Sequence, residues 1–228
     1  MQLMSITDVG VKRKENQDNY WGAVLLVNEV ETGVICLCDG MGGLHNGGLA
    51  SKIVVESVRD EIKNGTCFEA LKEVLQQANE TIYNLGKKEG SLMGTTCTLL
   101  ECSDGRYKIY HVGDSRCYRL RGAQFNPITQ DHSFLKEYNV TKESNPVLWR
   151  KYKNTLTRCI GVKPEVVIDY YEGSYQKDDV FLLCSDGMWH YYENNVILRE
   201  DLQDLPNLVK RCISSGETDN ITAGLLFT

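Results

Sequence analysis

The sequence predicts an α+β fold built on largely antiparallel sheets, and three observations predict it. Strand-length apolar runs follow one another with few helices between them, which separates sheets from helices instead of alternating them. Only three stretches keep a helical period. Four prolines, no low-complexity tract and no internal repeat leave nothing to divide the chain, so residues 1–228 are read as one domain.

The first third supplies short strands near Leu3–Thr7, Ala23–Val27 and Val34–Cys38. A helix follows, with Leu49, Ile53, Val54, Val58 and Ile62 at helical spacing and Asn64-Gly65 as its stop signal. A second helix carries Phe68, Leu71, Leu75, Ala78, Ile82 and Leu85; Thr66-x-x-Glu69 reads as its capping box and Gly86 as its end. The short turn between the two helices predicts antiparallel packing. Strands resume at Thr95–Leu100, Tyr107–Val112, Arg116–Leu120, Val166–Tyr170, Val180–Cys184 and Ile221–Phe227. A last helix is expected from Pro206 to Ser214, capped by Asp204, with Leu205, Leu208, Val209 and Ile213 on one face. Residues 133–155 are polar and poorly periodic and carry Trp149 and a basic cluster, Arg150, Lys151 and Lys153; they read as a surface excursion.

Composition excludes several classes. Apolar residues make up 42% and charged residues 25%, so disorder, collagen and coiled coil do not describe the chain. Lys and Arg number 25 against 31 Asp and Glu, a net charge of -6 that forces no basic face for nucleic acid. Residues 1–14 have no apolar signal-peptide core, and the apolar runs are strand-sized, so a cytoplasmic protein without a membrane segment is expected. The nine cysteines are odd in number and form no C-x-x-C pair; Cys36 and Cys38 should share one face of a strand. Most sit in apolar runs and read as buried free thiols. No cysteine is followed six residues later by arginine, which argues against a cysteine-nucleophile phosphate loop.

The chemistry speaks at the aspartates. Val34–Cys38 runs into Asp39-Gly-Met-Gly-Gly43, and Val180–Cys184 runs into Ser185-Asp186-Gly187-Met188. A third strand ends in Gly113-Asp114-Ser115-Arg116, and Asp219-Asn220 opens the last strand. Any one Asp-Gly pair is ordinarily a turn. Four carboxylates at the ends of apolar strands are a different pattern. If they converged, they would repel one another unless cations lay between them, and their hard oxygen ligands suit Mg²⁺ or Mn²⁺. The glycine-rich stretch is neither a P-loop nor an EF-hand, because the Gly-Lys-Ser/Thr and the alternating acidic loop are both missing.

At these residues the chain resembles the PP2C (PPM) family of metal-dependent protein phosphatases in its compact bacterial style. The match runs in order over nearly the whole sequence: Gly10-x-x-Arg13-x-x-Asn16-Gln17-Asp18, Asp39-Gly-Met-Gly-Gly43 with Ala50-Ser51, Gly94-Thr95-Thr96, Val112-Gly-Asp-Ser-Arg116, Asp131-His132-Ser133, Leu156-Thr157-Arg158 with Gly161, Ser185-Asp186-Gly187 and Asp219-Asn220-Ile221-Thr222. The resemblance implies a four-layer αββα sandwich, two antiparallel sheets between outer helices. It implies two Mn²⁺ or Mg²⁺ ions bridged by Asp39, with the Gly40 carbonyl on one and Asp186 and Asp219 on the other. Asp114 would serve a third ion shared with Asp186, Asp18 would support the ions' water shell, and Arg13 would grip the substrate phosphate. The implied reaction is attack of a metal-bridging water on phosphoserine or phosphothreonine. The implied partners are phosphorylated proteins, with a Ser/Thr kinase and its targets, met by a monomer. Arginine suits the phosphate because its planar fork meets two oxygens at once.

The pattern also departs from the family. Met41 stands where many eukaryotic relatives carry the histidine thought to protonate the leaving oxygen; His45 or a metal-bound water is left for that role. Gln17 replaces a frequently acidic residue, and 133–155 falls on the family's flap. A phosphatase-like binding module and a hydrolase of small phosphate esters are the competing readings.

Overall fold

Val34–Cys38 and Val180–Cys184 are apolar at every position because both faces of their strands are covered. The computed structural model describes residues 1–41, 46–65, 70–193 and 198–228. In it, β2 (Asp18–Val27), β3 (Val30–Asp39), β4 (Cys97–Ser103), β5 (Arg106–Val112) and β8 (Asp169–Ser174) form one antiparallel sheet in the order β2-β3-β4-β5-β8. The other sheet, also antiparallel, contains β1 (Gln2–Asp8), β6 (Arg116–Arg121), β7 (Gln124–Pro127), β9 (Val180–Cys184) and β10 (Ile221–Phe227), in the order β1-β10-β9-β6-β7.

The strand period of two sorts the side chains into three apolar layers. Ile35 and Leu37 of β3 meet Phe181 and Leu183 of β9 between the sheets. Val34, Cys36 and Cys38 point the other way, toward α1 (Gly47–Lys63) and α2 (Leu71–Glu89). Val180, Leu182 and Cys184 back onto α5 (Asp186–Tyr192) and α6 (Leu205–Ser214). The result is the four-layer sandwich, with a helix pair on each outer face. Among the described residues no helix is long and apolar enough to cross a membrane.

Several boundaries differ from expectation. The α1 stripe is centred on Ala50, Val54 and Val58, leaving Leu49 exposed. α2 continues through Gly86 and ends at Gly90 in the left-handed region at φ 66°. Gly86 is there for contact and not for termination, since a Cβ would lie 2.7 Å from the Ser91 carbonyl. β2 begins five residues before Ala23, at Asp18. β8 begins at Asp169, because Val166 and Ile168 pack against the α2 layer without joining the ladder. α6 starts at Leu205, and Asp204 caps it by accepting from the Asn207 N–H at 3.2 Å. β7 and α5 were not expected, the first because Gln124–Pro127 is polar, the second because Asp186-Gly187 read as a turn. The capping box Thr66–Glu69 lies outside the described residues.

Residues 133–155 contain α3 (Phe134–Glu137) and α4 (Pro146–Tyr152). The excursion is pinched shut at its base by a Ser133–Leu156 bridge and by Phe134 N–H to the Thr155 carbonyl at 2.8 Å. Its return limb therefore passes one fixed point on the sandwich. The described cysteines are free thiols, and all but the half-buried Cys159 are buried.

Candidate active site

Asp39 ends β3 and Asp18 begins β2, and the ladder places them directly opposite one another. Like charges in that position repel, so the pairing needs compensation. The Asp39 backbone is held on three sides: its N–H donates to Thr96 Oγ1 at 2.9 Å, and its carbonyl accepts from Thr96 N–H at 2.9 Å and Thr95 Oγ1 at 2.8 Å. Gly40 follows in a passage where a Cβ would lie 2.4 Å from the Gly47 carbonyl oxygen, so no larger residue fits.

Asp114 sits on the turn between β5 and β6. Gly113, at φ 108°, gives its N–H to His132 Nδ1 at 3.0 Å, and its carbonyl accepts from His132 N–H at 2.8 Å. Trp189 Nε1–H donates to the Asp114 carbonyl at 2.8 Å. The Arg116 guanidinium lies 3.6 Å from the Trp189 ring centre and forks onto Asp131 at 2.8 and 2.7 Å. Asp186 is the first residue of α5, after Ser185, whose hydroxyl donates to Asp18 Oδ2 at 2.8 Å and accepts from Thr222 N–H at 2.9 Å. Asp219 precedes β10 and forks the Arg13 guanidinium, with Nε to Oδ1 at 2.7 Å. Asn220 secures the N-terminal loop beside it: its Nδ2 donates to the Val9 and Glu15 carbonyls, and its Oδ1 accepts from Gln17 N–H.

Arg13, Asp39, Gly40, Asp114, Asp186 and Asp219 thus line one cavity of about 410 Å³, and Asp18 lies buried beside Asp39 and Ser185. Met41, Thr96, Asn154 and Leu156 complete the wall. Asn154 and Leu156 were not singled out for the site; they reach it because the 133–155 excursion closes beside it. Ser185, Asn220, His132 and Trp189 were also missed as positioning residues, although each falls in or beside a motif. Gly42, Gly43 and His45 lie outside the described residues.

Electrostatics mark the same place. Burial, reinforced by the charges of Asp186 and Asp131, pushes the Asp114 carboxyl up to about 8. Burial, with Asp186 and Asp219 adding, lifts Asp18 to about 7 against the hydrogen bonds it accepts. Asp186 is raised to about 6, mainly by burial. Asp39 is raised by burial and then by Asp18, Asp186, Asp114 and Asp219 together. Asp18 Oδ1 is buried without a hydrogen-bond partner. An oxygen-only donor set, crowded carboxylates and an orphaned carboxylate oxygen fit hard divalent cations.

A cavity lined by carboxylates with one arginine at its edge suits metal-assisted hydrolysis of an anionic ester. The chain belongs to the protein phosphatase 2C family, whose model matches residues 11–225. It is a metal-dependent protein phosphatase of that type. Protein phosphatase PhpP of Streptococcus pneumoniae is 32% identical over 244 residues, covering 99% of this chain and 97% of the relative. Serine/threonine phosphatase stp of Listeria welshimeri is 30% identical, covering 96% and 93%. The solved structure of serine/threonine phosphatase Stp1 from Staphylococcus aureus superposes with a TM-score of 0.83 at 26% identity, covering all of this chain and 94% of the other.

Proposed function

We propose that the chain hydrolyses phosphoserine and phosphothreonine in proteins, with Asp39, Asp186, Asp219 and the Gly40 carbonyl holding two Mn²⁺ or Mg²⁺ ions. Asp114 serves a third ion with Asp186, and Asp18 accepts from the waters around them. One observation carries the reading: four carboxylates from four separate strand ends converge on a cavity that also receives Arg13. When bound, such ions activate a water for in-line attack on phosphorus and neutralise phosphate charge.

The chain's own residues do the rest. The ladder and the Thr95 and Thr96 contacts hold the Asp39 backbone, which fixes the point from which its carboxylate reaches into the cavity. Arg13 is half exposed and already engages one carboxylate fork; it exchanges that partner for two phosphate oxygens of the substrate. Asn154 and Leu156 place the end of the 133–155 flap against the cavity, where it borders the peptide on either side of the phosphoresidue. Free thiols fit a reducing compartment, and the natural counterpart is a Ser/Thr kinase whose marks this chain removes.

Turnover of p-nitrophenyl phosphate and of a phosphothreonine peptide, each with and without Mn²⁺, tests the reading. Metal-dependent cleavage of both is expected. No turnover would leave a binding module, and cleavage of the small ester alone would remove protein substrates. Arg13→Ala should raise KM for the phosphopeptide with a smaller effect on kcat, as for a phosphate contact made before the transition state; an unchanged KM would remove Arg13 from the role.

A further inference from the structure

Cys36 and Cys38 lie two apart on β3, and Cys97 begins the neighbouring strand β4. The Cys36 and Cys38 sulfurs are 4.0 Å apart, and the three sulfurs all lie within 4.8 Å of one another. All three residues have 0% exposure and belong to the apolar layer of Ala50, Val54, Leu71, Leu75 and Met93 beneath α1 and α2. Among the described residues no carboxylate or imidazole joins the group. We propose that Cys36, Cys38 and Cys97 form a second metal site, specific for a soft monovalent d¹⁰ cation, Cu(I).

The geometry selects the ion. With metal–sulfur bonds of about 2.3 Å, sulfurs stand about 4.0 Å apart around a trigonal centre, about 4.6 Å across a linear one and about 3.8 Å around a tetrahedral one. The Cys36–Cys38 separation of 4.0 Å matches the trigonal case, and the 4.8 Å bound on all three pairs leaves room for the linear one; Cu(I) adopts both. Structural Zn²⁺ asks for four ligands, and among the described residues this group offers three. Sulfur donors exclude Mg²⁺ and Mn²⁺. Strand alternation keeps the two chemistries apart: the thiols face the helices, while Asp39 shares the opposite face with Ile35 and Leu37. One strand end thus carries a soft site on one side and a hard site on the other.

Binding is ligand exchange without redox. Copper supplied as a Cu(I) chelate stays Cu(I); Cu–S bonds form, bonds to the chelator break, and each thiol that ligates as thiolate releases its proton to buffer. Because the site has no exposed surface, copper enters during local opening of the helical layer, and exchange is slow.

The test is anaerobic competition of the whole chain against the coloured Cu(I) chelator bicinchoninate, followed to constant absorbance. The wild type and Cys212→Ala should each withdraw one equivalent, and Cys36→Ala and Cys97→Ala should lose that equivalent while keeping their circular dichroism. No withdrawal by the wild type, or equal withdrawal by all four proteins, overturns the site. X-ray absorption on the copper-loaded wild type decides the matter even if the alanine variants fail to fold. Two or three sulfur neighbours and no nitrogen or oxygen are expected; a nitrogen- or oxygen-ligated or four-coordinate copper overturns the proposal.

Discussion

Asp18 and Asp39 face one another at the end of the β2–β3 ladder, and the cost of that arrangement can be read in how the fold responds to pH. The Asp114, Asp18 and Asp186 carboxyls have folded pKa values raised to about 8, 7 and 6. In the unfolded chain such groups titrate at about 4. Between those limits the fold holds protons that the unfolded chain has released, so these groups make the metal-free protein lose stability as pH rises. Cations between the carboxylates remove the repulsion. The rise in Tm on adding Mn²⁺ should therefore be larger at about pH 8 than at about pH 6; equal shifts measured by calorimetry would contradict the carboxylate cluster as the binding place. Catalysis should fail at the same residues. Asp39→Asn and Asp186→Asn should each lose at least about 10²-fold in rate, since positioning of the ions carries most of the chemistry, and near-wild-type turnover in both would defeat the site assignment. Asp39, Asp114, Asp186 and Asp219 were legible in the sequence because each lies next to an apolar strand, and Asp18 only through the family resemblance. Ser185, Asn220 and His132 were not legible as partners: Ser185 reaches Asp18 across 167 residues and Asn220 reaches Val9 across 211. No local pattern encodes such a pairing.

At the scale of elements, α5 has two duties. Its first residue is Asp186, and one turn on, Trp189 holds the Asp114 carbonyl while Arg116 stacks against the indole. The helix therefore sets the spacing of two carboxylates that come from different strands. Trp189→Phe keeps an aromatic face for Arg116 and deletes one hydrogen bond. It should raise the Mn²⁺ concentration for half-maximal activity by about tenfold while leaving the rate at saturating Mn²⁺ close to wild type; an unchanged Mn²⁺ requirement would separate Trp189 from the metal site. The helix was hidden because Asp-Gly after a strand is ordinary turn chemistry, and its seven residues are too few to show a period. β7 was hidden by polarity, and β8 was misplaced by two buried residues, Val166 and Ile168, that signal packing and not pairing. The long amphipathic helices were legible because their periods are sustained, and only their ends moved.

For the whole molecule, the layer between the sheets decides whether the site exists. Phe181 is fully buried there, with Tyr107 at 5.2 Å between ring centres and Ile35 and Leu37 in the same cluster. Phe181→Ala should cost about 3–5 kcal/mol of stability, and both sheets should melt in one transition together with activity. A two-step loss, read by circular dichroism alongside turnover on heating, would mean the sheets are independent units. The sandwich was legible only through a resemblance of ordered motifs, because local patterns specify strands and helices but not which strands become neighbours. The strand order shows why: β1 pairs with β10, and Asn220 ties down the loop of Val9 and Glu15, joining residues more than two hundred positions apart. The cavity is therefore assembled from remote segments, Arg13 and Asp39 on one side and Asp219, just before β10, on the other, so that any change which parts β1 from β10 would pull its walls away from one another.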